Sequence, residues 1–246
     1  MDDSQFFKAE TERNIFLQIL ERYTPFWPLF VITTALSLSV TFVYLRSQVR
    51  IYLSSAKVLL KDPNKGSGDS KILDALNIFG DKKIVENEIV VLRSTNLMQE
   101  VVKDLHLYST VYNEGKVRVD ELYKENSPVW FQTLYPETSS GSKKLYFIVD
   151  WNKNQIVIDD KIVKFNDSTV LNNTIYRVIP NEAYNKTLKG KNYFVQFNSV
   201  SGAAGNIIND LKVNAISSQS TVIELKLETQ VPEKGNDILT KLFEVY

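Results

Sequence analysis

Residues Tyr23–Leu45 read YTPFWPLFVITTALSLSVTFVYL, a run of 23 residues that contains no charged side chain. As an α-helix the run would extend roughly 34 Å, at about 1.5 Å per residue, whereas the hydrocarbon core of a bilayer is about 30 Å thick. Aromatic residues occur at both ends, and Arg22 and Arg46 flank the run. Both features are typical of the two interfaces of a membrane. The run therefore predicts one membrane-spanning helix.

Two other interpretations of Tyr23–Leu45 fit less well. A cleaved signal peptide has a shorter apolar segment followed by small residues, whereas Arg46 follows Leu45 directly here. A buried helix of a soluble domain usually keeps a polar face, which this run lacks. We therefore expect a retained membrane anchor. Basic residues occur on both sides of it in similar numbers, so the charge distribution does not determine its orientation.

The composition excludes several classes of function. The chain has 246 residues, with 29 basic and 29 acidic side chains, no cysteine, and one histidine, His106. Balanced charge gives no support for binding to nucleic acid, which requires a basic face. The absence of cysteine excludes disulfides, thiolate catalysis and cysteine-based metal sites, and a single histidine excludes a histidine-rich metal site.

The residues around the span predict a juxtamembrane helix and one soluble domain. Phe6–Arg22 fits a short amphipathic helix before the span. After it, Ile51–Leu60 predicts a strand in which the apolar residues alternate with polar ones and shift phase once. Helices are expected at 72–80 and over Ile84–Leu105. The second is either one long helix or two helices that break near Ser94, whose side chain would cap the second half.

The second half of the domain is predicted to begin with strands. Short β-like runs recur about every ten residues from Pro128 to Phe197, which favours an antiparallel sheet or a small sandwich. A helix is expected at Ser199–Asp210. The runs Leu211–Ile216 and Thr221–Thr229 alternate cleanly and predict a hairpin with one buried face. Because Ile51–Leu60 needs the same kind of cover, we expect it to join that hairpin in one sheet.

Pro232 opens a final predicted helix, since proline is favoured in the first turn of a helix. Its apolar periodicity continues to Tyr246 without a C-terminal capping residue. We therefore expect the chain to be the front part of a longer protein.

Few polar residues suggest chemistry, and each has an ordinary structural explanation. His106 follows a predicted helix, where a histidine can cap carbonyl groups. Gly202 and Gly205 fit close packing of a helix. Asp150, Asp159 and Asp160 fall in predicted turns without the pattern of a calcium loop.

Two tripeptides match glycosylation acceptors, Asn172-Asn173-Thr174 and Asn185-Lys186-Thr187. In a bacterial setting we give them no role. We accordingly predict no catalytic, cofactor-binding or metal-binding residue in this chain, and no cofactor.

Four segments carry a resemblance to a known family. They are RYTPFWPLF at the start of the span, IYLSSAKVLLKD in the first strand, ENEIVVLRSTNLMQEVVKDLHL in the helix pair, and STVIELKLETQVPEKGNDILTKLFEVY in the last strand and helix. Together they resemble the Wzz-type chain-length determinant domain of bacterial polysaccharide co-polymerases. The family positions in the helix pair are occupied by Glu88, Ile89, Leu92, Ser94 and Leu105. The last segment departs from the pattern, with Thr240 where asparagine is usual and Gly235 where alanine is common.

The resemblance implies an α+β fold with four parts. These are a cytoplasmic juxtamembrane helix (1–22), a transmembrane helix (23–45), a membrane-proximal Wzz-like domain (46–127 and 198–246), and an inserted antiparallel β-rich subdomain (128–197). The main domain would be periplasmic, and the transmembrane helix would anchor it in the lipid bilayer of the bacterial inner membrane.

The resemblance also implies a function and partners. The chain would form a homo-oligomeric scaffold that regulates polysaccharide chain length or export in capsule, exopolysaccharide or lipopolysaccharide biosynthesis. Its partners would be a polysaccharide polymerase, an outer-membrane exporter and the growing polysaccharide, with no nucleic acid. The sequence specifies neither the polysaccharide nor the ring size nor the direction of regulation.

The family comparison also identifies features that this sequence lacks. Members have a second span, and many carry a cytoplasmic tyrosine autokinase domain beyond it. Neither a second apolar run of span length nor a Walker-type phosphate loop occurs here, so we expect no enzyme in this chain. Two alternatives remain open. One is a single-span extracytoplasmic sensor or ligand-binding domain, and the other is the periplasmic segment of a transporter subunit.

Overall fold

The structure, a computed structural model, describes residues 22–60, 85–141, 143–184, 192–217 and 221–246. It contains two compact units, Met1–Gln48 and Val49–Tyr246. The helix predicted at 72–80, and all but the last residue of the helix predicted at Phe6–Arg22, lie outside the described residues. The chain is an α+β protein with one apolar helix near its N-terminus and a second unit rich in sheet.

Helix α1 (Trp27–Ser47) forms most of the described part of the first unit and follows a 3-10 turn at Thr24–Phe26. Pro25 and Pro28 lie in the first turns, where a missing N–H disrupts no intrahelical hydrogen bond. None of the residues of α1 is buried within the protein. Within the described residues, it is the one helix that is long and apolar enough to cross a membrane.

The second unit contains four helices and twelve strands in its described part. The helices are α2, which includes residues 85–92, α3 (Thr95–Asp104), α4 (Val200–Asp210) and α5 (Pro232–Val245). The strands are β1 (Tyr52–Leu59), β2 (Ser109–Glu114), β3 (Val119–Leu122), β4 (Val129–Gln132), β5 (Leu145–Asp150), β6 (Gln155–Ile158), β7 (Lys161–Lys164), β8 (Ser168–Leu171), β9 (Thr174–Pro180), β10 (Asn192–Phe197), β11 (Leu211–Ala215) and β12 (Val222–Thr229).

The first and last strands form one antiparallel sheet in the order β1-β12-β11, which confirms the predicted pairing. Ala56 lies opposite Leu225, and Leu225 is fully buried. The phase shift predicted within β1 is wrong. Because the ladder to β12 is continuous, the even-numbered residues Ser54, Ala56 and Val58 lie on one face and are buried or half-buried. Ile51 and Leu53, predicted to be on the apolar face, are 68% and 57% exposed.

Helices α4 and α5 pack on this sheet, and α3 packs on both of these helices. The predicted break near Ser94 is confirmed, because Ser94 Oγ accepts a hydrogen bond from the backbone N–H of Leu97 and caps α3. The apolar face of α3 is fully buried at Met98, Val101 and Val102, and α5 contributes Ile238, Leu239 and Leu242 to the same core.

The remaining strands form two sheets that pack face to face. The larger has the order β3-β2-β10-β5-β6-β7, and the smaller has the order β4-β9-β8. Phe131 and Tyr176 of the smaller sheet meet Phe147 and Phe197 of the larger, with ring centroids 4.0 to 5.7 Å apart. The recurring short strands predicted either an antiparallel sheet or a small sandwich, and the structure has the sandwich. The larger sheet also includes β2 and β3, which precede Pro128 and were not predicted.

Candidate functional site

A cavity of about 230 Å³ opens in the second unit beside His106. Its wall combines the C-terminal end of α3, the strands β2, β3 and β4, and the first turn of α5. The cavity therefore lies where helices α3 and α5 meet the strands of the sandwich. Apart from His106, its lining includes three aromatic residues, Tyr123, Trp130 and Phe131, and a largely buried ion pair.

Trp130 is positioned by the alternation of side chains along β4. Val129 and Phe131 of β4 point into the sandwich core, so Trp130 between them points outward and remains 40% exposed. Tyr123 is half-buried, and its hydroxyl donates to Oδ2 of Asp237 at 2.9 Å. Burial raises the pKa of Tyr123, and the adjacent Asp237 carboxylate raises it further. Tyr123 is therefore a neutral hydrogen-bonding group near neutral pH.

Every acidic and basic side chain that lines the cavity is already paired within the protein. Glu121 and Lys234 form an ion pair whose side chains are 9% and 16% exposed. Asp104 pairs with Lys241 at 3.0 Å, and Lys124 pairs with Asp237 at 2.6 Å. The lining is mostly apolar and consequently carries no uncompensated charge.

His106 has an αL backbone conformation, with φ of 54°, directly after the end of α3. Its backbone N–H bonds the carbonyl of Lys103 at 3.2 Å, whereas its Nδ1 lies 3.1 Å from the Tyr108 hydroxyl. The backbone of His106 thus closes the helix end, and its imidazole also interacts with the backbone of Lys103. Burial lowers the pKa of His106, and Asp104 only partly opposes this effect, so the ring is neutral at pH 7.

The explanation expected for Gly202 and Gly205 is wrong. A β-carbon at Gly202 would meet only the Oγ of Ser199, the residue that caps α4, at 2.9 Å. A β-carbon at Gly205 would meet no described atom within 4 Å. The residues that α4 buries are instead Val200, Ala203 and Ala204.

The aspartates singled out from the sequence lie in turns. Asp159 and Asp160 are exposed, and both have positive φ in the two-residue connection between β6 and β7. Asp150 Oδ1 accepts hydrogen bonds from the backbone N–H groups of Asn152 and Lys153. The structure therefore gives these residues local roles. Within the described ranges, no group of three or more histidine, aspartate or glutamate residues could hold a metal ion.

The first of the two glycosylation-like tripeptides is inaccessible. The Nδ2 atom of Asn172, to which a glycan would be attached, is buried and has no hydrogen-bond partner. The Oγ1 of Thr174 donates to the carbonyl oxygen of Thr138 at 2.6 Å, and Thr174 is buried as well. Asn185 lies outside the described residues.

The sequence alone did not identify this cavity. Glu121 and Lys234 are 113 residues apart, and only the folded chain brings their side chains together. No local pattern marked the cavity, because Trp130 lies between the apolar residues Val129 and Phe131 in the sequence. Comparisons with protein-family models and with curated proteins find no match to this chain.

Proposed function

We propose that this chain is a membrane-anchored, homo-oligomeric scaffold that regulates the chain length or the export of a bacterial polysaccharide. The proposal starts from the resemblance to the Wzz-type chain-length determinant family. It includes a polysaccharide polymerase, an outer-membrane exporter and the growing polysaccharide as partners. It assigns no enzymatic activity to this chain.

The observation that carries the proposal is the contact among three of the four segments that resemble the family. The strand segment, which contains β1, pairs over eight residues with β12 of the last segment. Helix α5 of the last segment packs on β1, and α3 of the helix-pair segment packs on α5. Segments far apart in the chain therefore form one core. Such a core is expected if the separate resemblances reflect a common fold.

The exposed side of β1 supports self-association. Among the described strands, β1 is at the edge of its sheet and pairs only with β12. Its outward side chains include Leu53 and Leu59, which are 57% and 70% exposed. An open strand edge with exposed apolar side chains is a surface on which another chain can pair. We propose that neighbouring protomers cover it in the oligomer.

The proposed topology has residues 1–22 in the cytoplasm, 23–45 in the inner membrane and 46–246 in the periplasm, with 128–197 as an inserted β-rich subdomain. Because the natural chain has no cysteine, single cysteines can report on it without background. We expect Lys161→Cys, on the exposed strand β7, to react with a membrane-impermeant maleimide in intact spheroplasts. Ser4→Cys should react only after lysis. The reverse pattern would overturn the topology.

The scaffold is tested by the length distribution of the polysaccharide on a gel, measured beside the oligomer mass in detergent. Leu53→Glu places a charge on the exposed side of β1, and we expect it to reduce the oligomer mass and alter the length distribution together. The matched control is Leu134→Glu, because Leu134 is 90% exposed and lies outside β1. An unaltered length distribution from a Leu53→Glu protein that no longer assembles would contradict the proposal.

The cavity beside His106 gives independent support to the second candidate, a single-span sensor or ligand-binding domain. The two candidates differ in the protein sequence expected after Tyr246. A second span, with or without an ATP-binding domain, supports the scaffold, whereas a signalling helix supports the sensor. In a strain that lacks the gene, an unchanged polysaccharide length distribution would favour the sensor.

A further inference from the structure

We infer that the cavity beside His106 binds an uncharged saccharide, accommodating one pyranose ring of a glycan. The first reason is the state of its charges. Glu121, Asp104 and Lys124 each have an opposite charge beside them in the protein, at Lys234, Lys241 and Asp237 respectively. A charged ligand would have to compete with one of these pairs, whereas a neutral ligand leaves all of them intact.

The second reason is the combination of aromatic and polar groups. A pyranose has faces of C–H groups, which pack on aromatic rings, and a rim of hydroxyl groups, which require donors and acceptors. Trp130 and Tyr123 supply aromatic surface in the cavity wall. A purely apolar ligand such as an acyl chain would instead cover the Glu121–Lys234 pair without replacing the hydrogen bonds that water makes to it.

The third reason is the hydrogen-bonding capacity of the lining. A carboxylate has about four acceptor sites and an ammonium group has three donors, so one ion pair does not use the full capacity of Glu121 and Lys234. Gln132 offers both a carbonyl acceptor and an amide donor in the same wall. Sugar hydroxyls, which both donate and accept, match this mixture better than a ligand with acceptors alone.

The size of the cavity limits how much of a glycan it encloses. At about 230 Å³ it is smaller than the roughly 300–1,000 Å³ typical of sites that enclose a drug-sized ligand. One sugar ring is the expected unit, with the rest of the glycan outside. Because α3, α5 and β4 all contribute to the wall, a bound ring would contact both the helical layer and the sandwich.

This inference rests on the cavity and not on the proposed scaffold function, so a direct binding experiment separates the two. The full chain is placed in lipid nanodiscs and titrated with methyl α-glucopyranoside and the methyl glycoside of N-acetylglucosamine, observed by saturation-transfer NMR. Glucuronate and glucosamine serve as negatively and positively charged analogues. We expect transfer to at least one neutral glycoside and weaker transfer to its charged analogue.

Two variants locate the binding. Trp130→Ala should weaken binding of the neutral glycoside roughly tenfold, or about 1.4 kcal/mol, because it removes the aromatic surface on which the sugar packs. Trp130→Phe should retain part of the affinity. The control is Tyr146→Ala, which removes a 49% exposed aromatic side chain that does not line the cavity, and it should bind as the natural chain does.

Three results would overturn the inference. They are the absence of binding by any neutral glycoside, tighter binding of a charged analogue, and equal binding by the natural chain and a folded Trp130→Ala protein. Loss of binding with a normal polysaccharide length distribution would leave the scaffold intact. A variant that alters the polysaccharide length distribution but binds the glycoside normally would be defective in assembly and not in sugar binding.

Discussion

Ser54 occupies the space that a side chain at position 235 would need. Helix α5 crosses β1 at this point, and the Ser54 hydroxyl donates to the carbonyl oxygen of Pro232 at 3.3 Å. A β-carbon on Gly235 would collide with Ser54 Oγ and lie only 2.9 Å from Ser54 Cβ. The serine hydroxyl on the strand and the glycine on the helix therefore fit each other.

Gly235→Ala is therefore expected to destabilise the protein, although alanine favours a helix by about 1 kcal/mol over glycine. Overpacking of a tight core contact costs typically about 1–3 kcal/mol, which exceeds the gain. The midpoint of chemical denaturation should fall, as measured by circular dichroism of the full chain in detergent.

A double-mutant cycle tests whether Ser54 causes this loss. Ser54→Ala alone removes one hydrogen bond, worth about 1 kcal/mol. In that background Gly235→Ala should cost less than in the natural chain, because the colliding oxygen is gone. Some cost should remain, since Thr229 Cγ2 would lie 2.8 Å from the new β-carbon. Strict additivity of the two changes would refute the coupling.

The predictable part of the fold follows from regular alternation and from capping residues. Strands β11 and β12 were recognised because Ile223, Leu225 and Leu227 alternate with charged residues. The break before α3 was recognised because Ser94 is a preferred capping residue. These signals are local, so a single sequence carries them.

Other elements depend on contacts that no local pattern specifies. Strand β2 has the sequence STVYNE, whose outward residue Tyr112 stacks on Phe194 across the sheet at 4.9 Å. In β1, apolar residues occur on both faces, and only pairing with β12 selects the buried one. The cavity was missed for the same reason, because its wall combines α3, β4 and α5.

Leu225→Ala and Leu92→Ala should each destabilise the second unit by about 2–5 kcal/mol, because truncation of a buried leucine leaves a cavity. Their side chains are 0% and 1% exposed. The matched control is Leu134→Ala, which removes the same atoms at a position that is 90% exposed, and it should change stability by less than about 0.5 kcal/mol. Equal losses in denaturation midpoint for Leu225→Ala and Leu134→Ala would show that the assigned core is incorrect.

The lowered pKa of His106 predicts a loss of stability on acidification. The unfolded chain binds a proton near the usual histidine pKa of 6.5, whereas the folded chain binds it only at lower pH. Between these two values the unfolded state binds more protons, so the free energy of unfolding decreases as the pH falls below about 6.5. Asp104 and the Tyr108 hydroxyl lie beside the ring.

His106→Asn should flatten this part of the pH profile, and asparagine tolerates the φ of 54° at this position. The measurement is the denaturation midpoint between about pH 5 and pH 7 for both proteins. Parallel profiles would argue against His106 as the titrating group. Because a scaffold has no catalytic histidine, His106→Ala should leave the polysaccharide length distribution near normal. Loss of activity by a folded, assembled His106→Ala protein would instead favour the ligand-binding or an enzymatic interpretation.

Charge reversal on the helices tests how assembly depends on surface complementarity. Glu86 of α2 is exposed, and Lys103 of α3 forms an ion pair with Glu137. A surface ion pair contributes at most about 1 kcal/mol, so Glu86→Lys and Lys103→Glu should both fold. If these helix faces contact neighbouring protomers, each reversal should change the oligomer mass in detergent and the polysaccharide length distribution. An interface tolerates misplaced charge poorly because opposing groups lose their partners.

Lys103 allows a sharper version of this experiment, because its partner is known. Adding Glu137→Lys to Lys103→Glu restores an ion pair of opposite orientation within the protomer. If the single reversal acts through local folding, the double variant should recover the natural denaturation midpoint and the natural oligomer mass together. If Lys103 contacts a neighbouring protomer, the midpoint should recover while the oligomer mass stays altered, and we expect this second result. Natural assembly by both the single and the double variant would exclude Lys103 from the interface.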